Sequence, residues 1–180
     1  MNLVIVSVVS LTGAFIGTVV GANWALVNYG VVGVGFGLAA PAGVFFAGLA
    51  FTFRDLLHQL SSRAFIVGAI IVGAVVSFFL EDARQFAVAS GTAFLVSEFL
   101  DFCVYSPLRR KRWLLAVGLS NIVGLTADSC IFLFMAFGSL AFLEGQLVGK
   151  AYMTAGAILL LLLGRYVGTV FVLRRLASAK

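Results

Sequence analysis

Six apolar segments of roughly bilayer length divide this chain, and only short connections join them. A bilayer core takes about 20 apolar residues per helix. The segments fall at residues 3–24, 42–60, 64–80, 86–105, 113–136 and 147–173. Apolar residues make up 62% of the 180 residues and charged residues 11%, against about 25% charged in an ordinary soluble domain. Mean hydropathy is +1.15. A small soluble fold leaves much of its surface in water and could not hide this composition. The solvent is therefore lipid, and soluble enzymes, nucleic-acid-binding modules and disordered tails are excluded. No connection can hold a soluble domain. The expectation is an all-α integral membrane protein, a single six-helix transmembrane domain over residues 1–180, with its function inside the bundle.

The N-terminal run has no basic leader and is long for a signal peptide, so it reads as a membrane helix. The second segment is ambiguous. One reading spans 31–53 and leaves Arg54 and Asp55 at the interface. The other begins near Ala42 and carries Arg54, Asp55 and His58 to depth, with the stretch around Gly33, Gly35, Gly37 and Pro41 as a close-packed or irregular lead-in. Irregular backbone at membrane depth is tolerated only where protein re-satisfies its polar groups. The second reading is preferred.

The net charge of +5 is distributed unevenly. With six spans, both termini share a side. That side also receives Arg54, Arg63, the Arg109–Arg112 run, Arg174, Arg175 and Lys180. The other receives Arg84 and Lys150, with Glu81, Asp82 and Glu144. The positive-inside rule then places both termini in the cytoplasm. The basic run reads as a helix end at the inner surface, and no nucleic-acid partner is expected. Cys103 and Cys130 lie in apolar runs without metal-ligand spacing and read as small buried hydrophobes. Gly13, Gly17 and Gly21 form a double GxxxG, and Gly164 and Gly168 another. Packing within the chain is the simpler reading, and a homo-oligomer or partner surface the alternative.

The informative residues are the ionisable ones inside apolar segments, because a charge at mid-bilayer costs roughly 2.5–3.5 kcal/mol on insertion scales. In the fourth segment, Glu98 and Asp101 are three residues apart and share one helix face. Phe94 and Tyr105 extend that stripe and Ser97 borders it. Two carboxylates on one face repel unless a proton, cation or donor intervenes. An ion pair with Arg54 or Arg165 is the purely structural alternative. In the fifth segment, Asn121 and Asp128 lie two turns apart, with Gly124 leaving space between them. The fourth and fifth segments are expected as antiparallel neighbours with facing polar stripes. Arg54, Asp55, His58 and Gln59 form a third cluster. There is no second histidine, so zinc is not expected, and no cofactor is implied. No nucleophile with a base, HExxH, P-loop or Rossmann fingerprint occurs, so the chain does not read as an enzyme. Carboxylates, an Asn and many aromatic rings suit a flat, donor-rich heterocycle. A carboxylate can accept two parallel N–H bonds, such as those of a guanine edge.

The runs SGTAFLVSEFLDFCVYSPLRRK and SNIVGLTADSCIFLFMAF, with Ser97, Glu98, Phe99, Asp101, Val104 and Tyr105 and then Ser120, Asn121, Asp128 and Ser129, resemble the queuosine precursor transporter family, also called the vitamin uptake transporter family. The segment FAGLAFTFRDLLHQL is similar to the end of the second helix in some members. The resemblance covers about residues 43–155. It implies a multi-pass importer of the bacterial cytoplasmic membrane for 7-cyano- or 7-aminomethyl-7-deazaguanine. It is also similar in helix count to the substrate-binding subunits of energy-coupling-factor transporters. By the same resemblance, the substrate site is carried by Glu98, Asp101, Asn121, Asp128, Arg54 and Asp55, with Ser97 and Phe94 beside them. The other reading is a subunit that binds a vitamin or nucleobase and needs an energising partner.

Overall fold

The fold is given by a computed structural model that describes residues 3–80, 83–108 and 112–178. Among these are six helices: α1 (Leu3–Tyr29), α2 (Val44–Leu60), α3 (Arg63–Phe78), α4 (Arg84–Leu108), α5 (Trp113–Phe137) and α6 (Leu143–Ser178). Between α1 and α2 lies a hairpin of β1 (Val31–Gly35) and β2 (Leu38–Pro41). Helices α1, α4 and α5 are long and apolar enough to cross a bilayer. Glu81, Asp82 and the basic residues 109–111 lie outside the described residues, as do the side chains of Arg165, Arg174 and Arg175.

Local chemistry sets several of the boundaries. Ser62 caps α3, its hydroxyl accepting from the Phe65 amide at 3.3 Å, which satisfies one of the free donors of a helix start. Gly138 ends α5 at φ +64°, a left-handed position that glycine takes without strain. At the hairpin turn, Gly35, Phe36 and Gly37 all have positive φ, and the Phe36 ring points outward, 85% exposed.

The hairpin was not foreseen as paired strands. The glycine-rich lead-in to α2 forms an antiparallel ladder with Val31 opposite Pro41 and Gly33 opposite Ala39. The Gly30 carbonyl accepts from the Ala42 amide at 2.8 Å and closes its base. Pairing is the remedy for eleven non-helical residues in an apolar protein, because their polar groups find partners in each other. Helix α6 then lies against β2, with Gly145 where the Ala39 backbone leaves no room for a side chain.

Helix α4 packs along α5, α1 against α2 and α3, and α2 against α6. Phe15 and Val19 of α1, Phe51 and Leu57 of α2, Ile66 and Ile70 of α3 and Phe94 of α4 form the main apolar core. The Phe51 and Phe94 rings stack at 5.2 Å, and Phe15 meets Phe94 edge-on. The distribution of polarity is inverted relative to a water-soluble fold. Arg54, Glu98, Asp101, Asp128 and Lys150 are buried, whereas Phe99, Ile122, Phe134 and Leu160 are largely exposed. Apolar surface of this extent belongs against lipid.

Two glycine expectations change. Gly13 and Gly17 have nothing within 4 Å of a would-be Cβ, so among the described residues nothing packs on that part of the α1 ridge; Gly21 does pack, against Phe46. Gly124 does not open a space: α4 fills it, with the Asp101 Cβ 3.5 Å and the Ser97 carbonyl 3.6 Å from a would-be Cβ.

A methyl group at Gly145 must push α6 off the hairpin. Gly145→Ala is expected to cost about 1–3 kcal/mol through overpacking, read as a lower melting temperature of the purified protein in detergent. Gly68→Ala, where nothing lies within 4 Å, should leave melting unchanged or raise it. Equal behaviour of the two variants would show that the close α6–β2 approach is not a constraint.

Candidate functional site

The polar residues of the bundle gather into two groups, each with a cation near the Phe51 ring. The first is centred on Arg54, which is 2% exposed. Its Nε and Nη2 donate to Asp55 Oδ1 at 3.0 and 2.8 Å. Nη2 also donates to Asn121 Oδ1 at 3.1 Å. Nη1 lies 3.3 Å from Glu98 Oε2, an ion pair in which neither atom makes a hydrogen bond. The second Glu98 oxygen, Oε1, meets His58 Nε2 at 2.8 Å. The guanidinium sits over the Phe51 ring, 4.8 Å from its centroid. Arg54 and His58 are four residues apart on α2, so one face of the helix presents both side chains to Glu98.

This gives the local structure of the sequence candidates. Arg54, Asp55, Glu98 and Asn121 come together across α2, α4 and α5. Glu98 is no bare carboxylate: it is held between Arg54 and His58. Asp55 is at the rim, its side chain about half exposed. Asp101 is buried against Gly124 of α5 and makes no hydrogen bond or ion pair among the described residues. The Ser97 hydroxyl donates to the carbonyl of Phe94 at 2.9 Å in its own helix. Such back-bonding satisfies a buried hydroxyl locally and leaves Ser97 a packing residue of the α4–α5 contact. Arg165, the other candidate counter-charge, lies outside the described side chains.

Asp128 belongs to the second group. Lys150 of α6 is 0% exposed, and its Nζ donates to Asp128 Oδ2 at 2.5 Å and to Ser129 Oγ at 2.7 Å. The same ammonium lies 5.5 Å from the Phe51 centroid, so both cations are near one aromatic ring. The sequence reading assigned Lys150 to the membrane side opposite the termini, at the start of the segment 147–173, and not to the buried polar groups. That is corrected here: α6 begins at Leu143, four residues before the apolar run, so Lys150 lies two turns inside it. The missed signal was the i, i+4 pair Gln146 and Lys150, which puts two polar side chains on one face of an apolar helix.

Above the Lys150–Asp128 pair is a cavity bounded by α1, α2, α4, α5 and α6. Its walls are mostly apolar, with the Phe94 and Phe132 rings among them. Four polar residues line it: Asn23, Ser90, Asp128 and Gln146. Asn23 Nδ2 donates to Ser90 Oγ at 3.1 Å, joining α1 to α4. Asn23, Ser90 and Gln146 were not singled out from sequence, because amides and hydroxyls cost too little in a membrane helix to stand out. The volume is about 30 Å³, room for roughly two waters. A larger solute enters only when these helices part.

A buried site of carboxylates, amides and aromatic rings within a lipid-facing bundle fits a small-solute carrier. The family model described as "putative vitamin uptake transporter" matches residues 77–173, a little over half of the chain. The chain belongs to this family of membrane transporters. No curated protein and no solved structure matches it.

Removing one partner of a buried ion pair strands the other, at a cost of about 3–5 kcal/mol, whereas replacing both with apolar residues is often neutral. Arg54→Leu is therefore expected to lower the melting temperature sharply, and Arg54→Leu with Glu98→Leu to recover most of the loss. A double variant no more stable than the single one would rule out a mainly pairwise role for these charges.

Proposed function

We propose that the protein imports a 7-deazaguanine precursor of queuosine, 7-cyano- or 7-aminomethyl-7-deazaguanine, across the bacterial cytoplasmic membrane, with both termini inside. Family membership supports transport. The resemblance of the segments around Glu98 and Asp128, both inside the matched residues, supports the substrate class. The observation that carries the reading is Asp128. It is a buried carboxylate on the wall of a cavity that also has Phe94 and Phe132 rings. A carboxylate pairs with the N–H edge of a guanine-like ring, and aromatic walls accept its faces.

The Arg54–Glu98–His58 group does not line the cavity. In this reading it is the second station on the path, and the solute passes from one group to the other as the helices rearrange. A polar site near mid-depth, opened alternately to either side, is the general architecture of secondary transporters. A substrate-binding subunit working with an energising partner is the second reading. The open surface at Gly13 and Gly17 favours it, since small residues there let another helix approach closely.

The test is the queuosine content of tRNA in a bacterium that can neither make nor import these precursors, expressing this chain alone and fed either base. Restored modification is expected, and Asp128→Asn should abolish it with the protein still present in the membrane. Absence of restoration by the unaltered chain would refute a stand-alone importer. Restoration that survives Asp128→Asn would remove Asp128 from the site.

A further inference from the structure

Among the described residues, the cavity wall carries a buried side-chain acceptor that makes no hydrogen bond. Gln146 is 3% exposed, lines the cavity from the first turn of α6, and its side-chain oxygen makes no hydrogen bond. Other polar atoms on the wall are engaged. Asn23 and Ser90 bond each other, and Asp128 Oδ2 is held by Lys150. A buried acceptor with no donor is unfavourable, and an apolar side chain of similar shape removes the penalty. Gln146 therefore matches a site whose donor arrives with a ligand.

The chemistry of that ligand can be narrowed. Asp128 has a second oxygen, Oδ1, with no hydrogen bond among the described residues, so α5 and α6 each present an acceptor to one cavity. The nearby cation, Lys150, is committed to Asp128 and Ser129. An anionic ligand would meet acceptors and a carboxylate, so the fitting group is an edge rich in N–H donors. The apolar and aromatic remainder of the wall favours a planar ring over a flexible polar chain.

Resting on the deazaguanine reading of this cavity, we propose that Gln146 is a specificity-determining residue: its Oε1 accepts an N–H of the solute other than the one taken by Asp128. The site then selects planar lactam or amidine heterocycles with at least two N–H donors. It discriminates against the analogue in which the Gln146-facing N–H is methylated, because the buried carbonyl is again left unpaired.

The experiment uses the full chain in lipid nanodiscs. Affinities of 7-cyano-7-deazaguanine and of its singly N-methylated isomers are measured for the unaltered protein and for Gln146→Leu. One isomer is expected to bind the unaltered protein about tenfold or more weakly than the parent base, and to lose that handicap in Gln146→Leu. The ligand-free melting temperature of the variant should hold or rise. Identical penalties in both proteins for every isomer overturn the proposal. A lower ligand-free melting temperature does so too, since it gives Gln146 a structural partner. If the unaltered protein binds neither deazaguanine, the substrate reading fails on its own. The same comparison is then made with guanine, hypoxanthine and their N-methyl forms. A methylation penalty relieved in Gln146→Leu upholds the Gln146 assignment there, and no binding, or penalties equal in both proteins, overturns it.

Discussion

A guanidinium with almost no exposure, in a bundle whose outer surface is apolar, has to be neutralised by its neighbours. Arg54 meets that demand with Asp55 on its own helix, Asn121 on α5 and Glu98 on α4. Those contacts fix how three helices stand relative to one another, since moving any of them strands a charge in low dielectric. At Gly124, α5 also approaches α4: a Cβ there would sit in van der Waals contact with Asp101 and the backbone at Ser97.

The second charge pair solves the same problem differently. Lys150 and Asp128 neutralise each other, with Ser129 taking another ammonium donor. Asp128 lines a cavity, and both Lys150 and Arg54 lie near the Phe51 ring. A column of polar groups thus runs through the bundle, from Gln146 past Asp128 and Lys150 to Arg54, Glu98 and His58. The hairpin holds the start of α2 against α6 beside this column, because its backbone is paired and Gly145 allows contact.

Helical spacing in the sequence made part of this legible. Glu98 with Asp101, and Asn121 with Asp128, stand out because acids are rare and costly in apolar helices. The partners of those acids were less legible. Arg54 and Glu98 are distant in sequence and meet only because α2 and α4 enclose the same core. Lys150 looked like a residue of the membrane surface because it falls at the start of the apolar run 147–173, whereas α6 begins at Leu143 and buries it. Ser97 sits beside the acids in sequence, yet its hydroxyl bonds back to its own helix. Gln146, Asn23 and Ser90 carried too weak a polarity signal to be noticed one at a time.

What composition and spacing determine alone is the solvent and the class: helices in lipid, with a few charges whose burial needs a reason. These follow from transfer energies, which depend on residue type and local period. Which cation neutralises which acid, where a cavity remains and which polar atom in it lacks a partner were decided by tertiary structure. Those outcomes depend on distances of a few ångströms between helices far apart in sequence, and no local pattern encodes them.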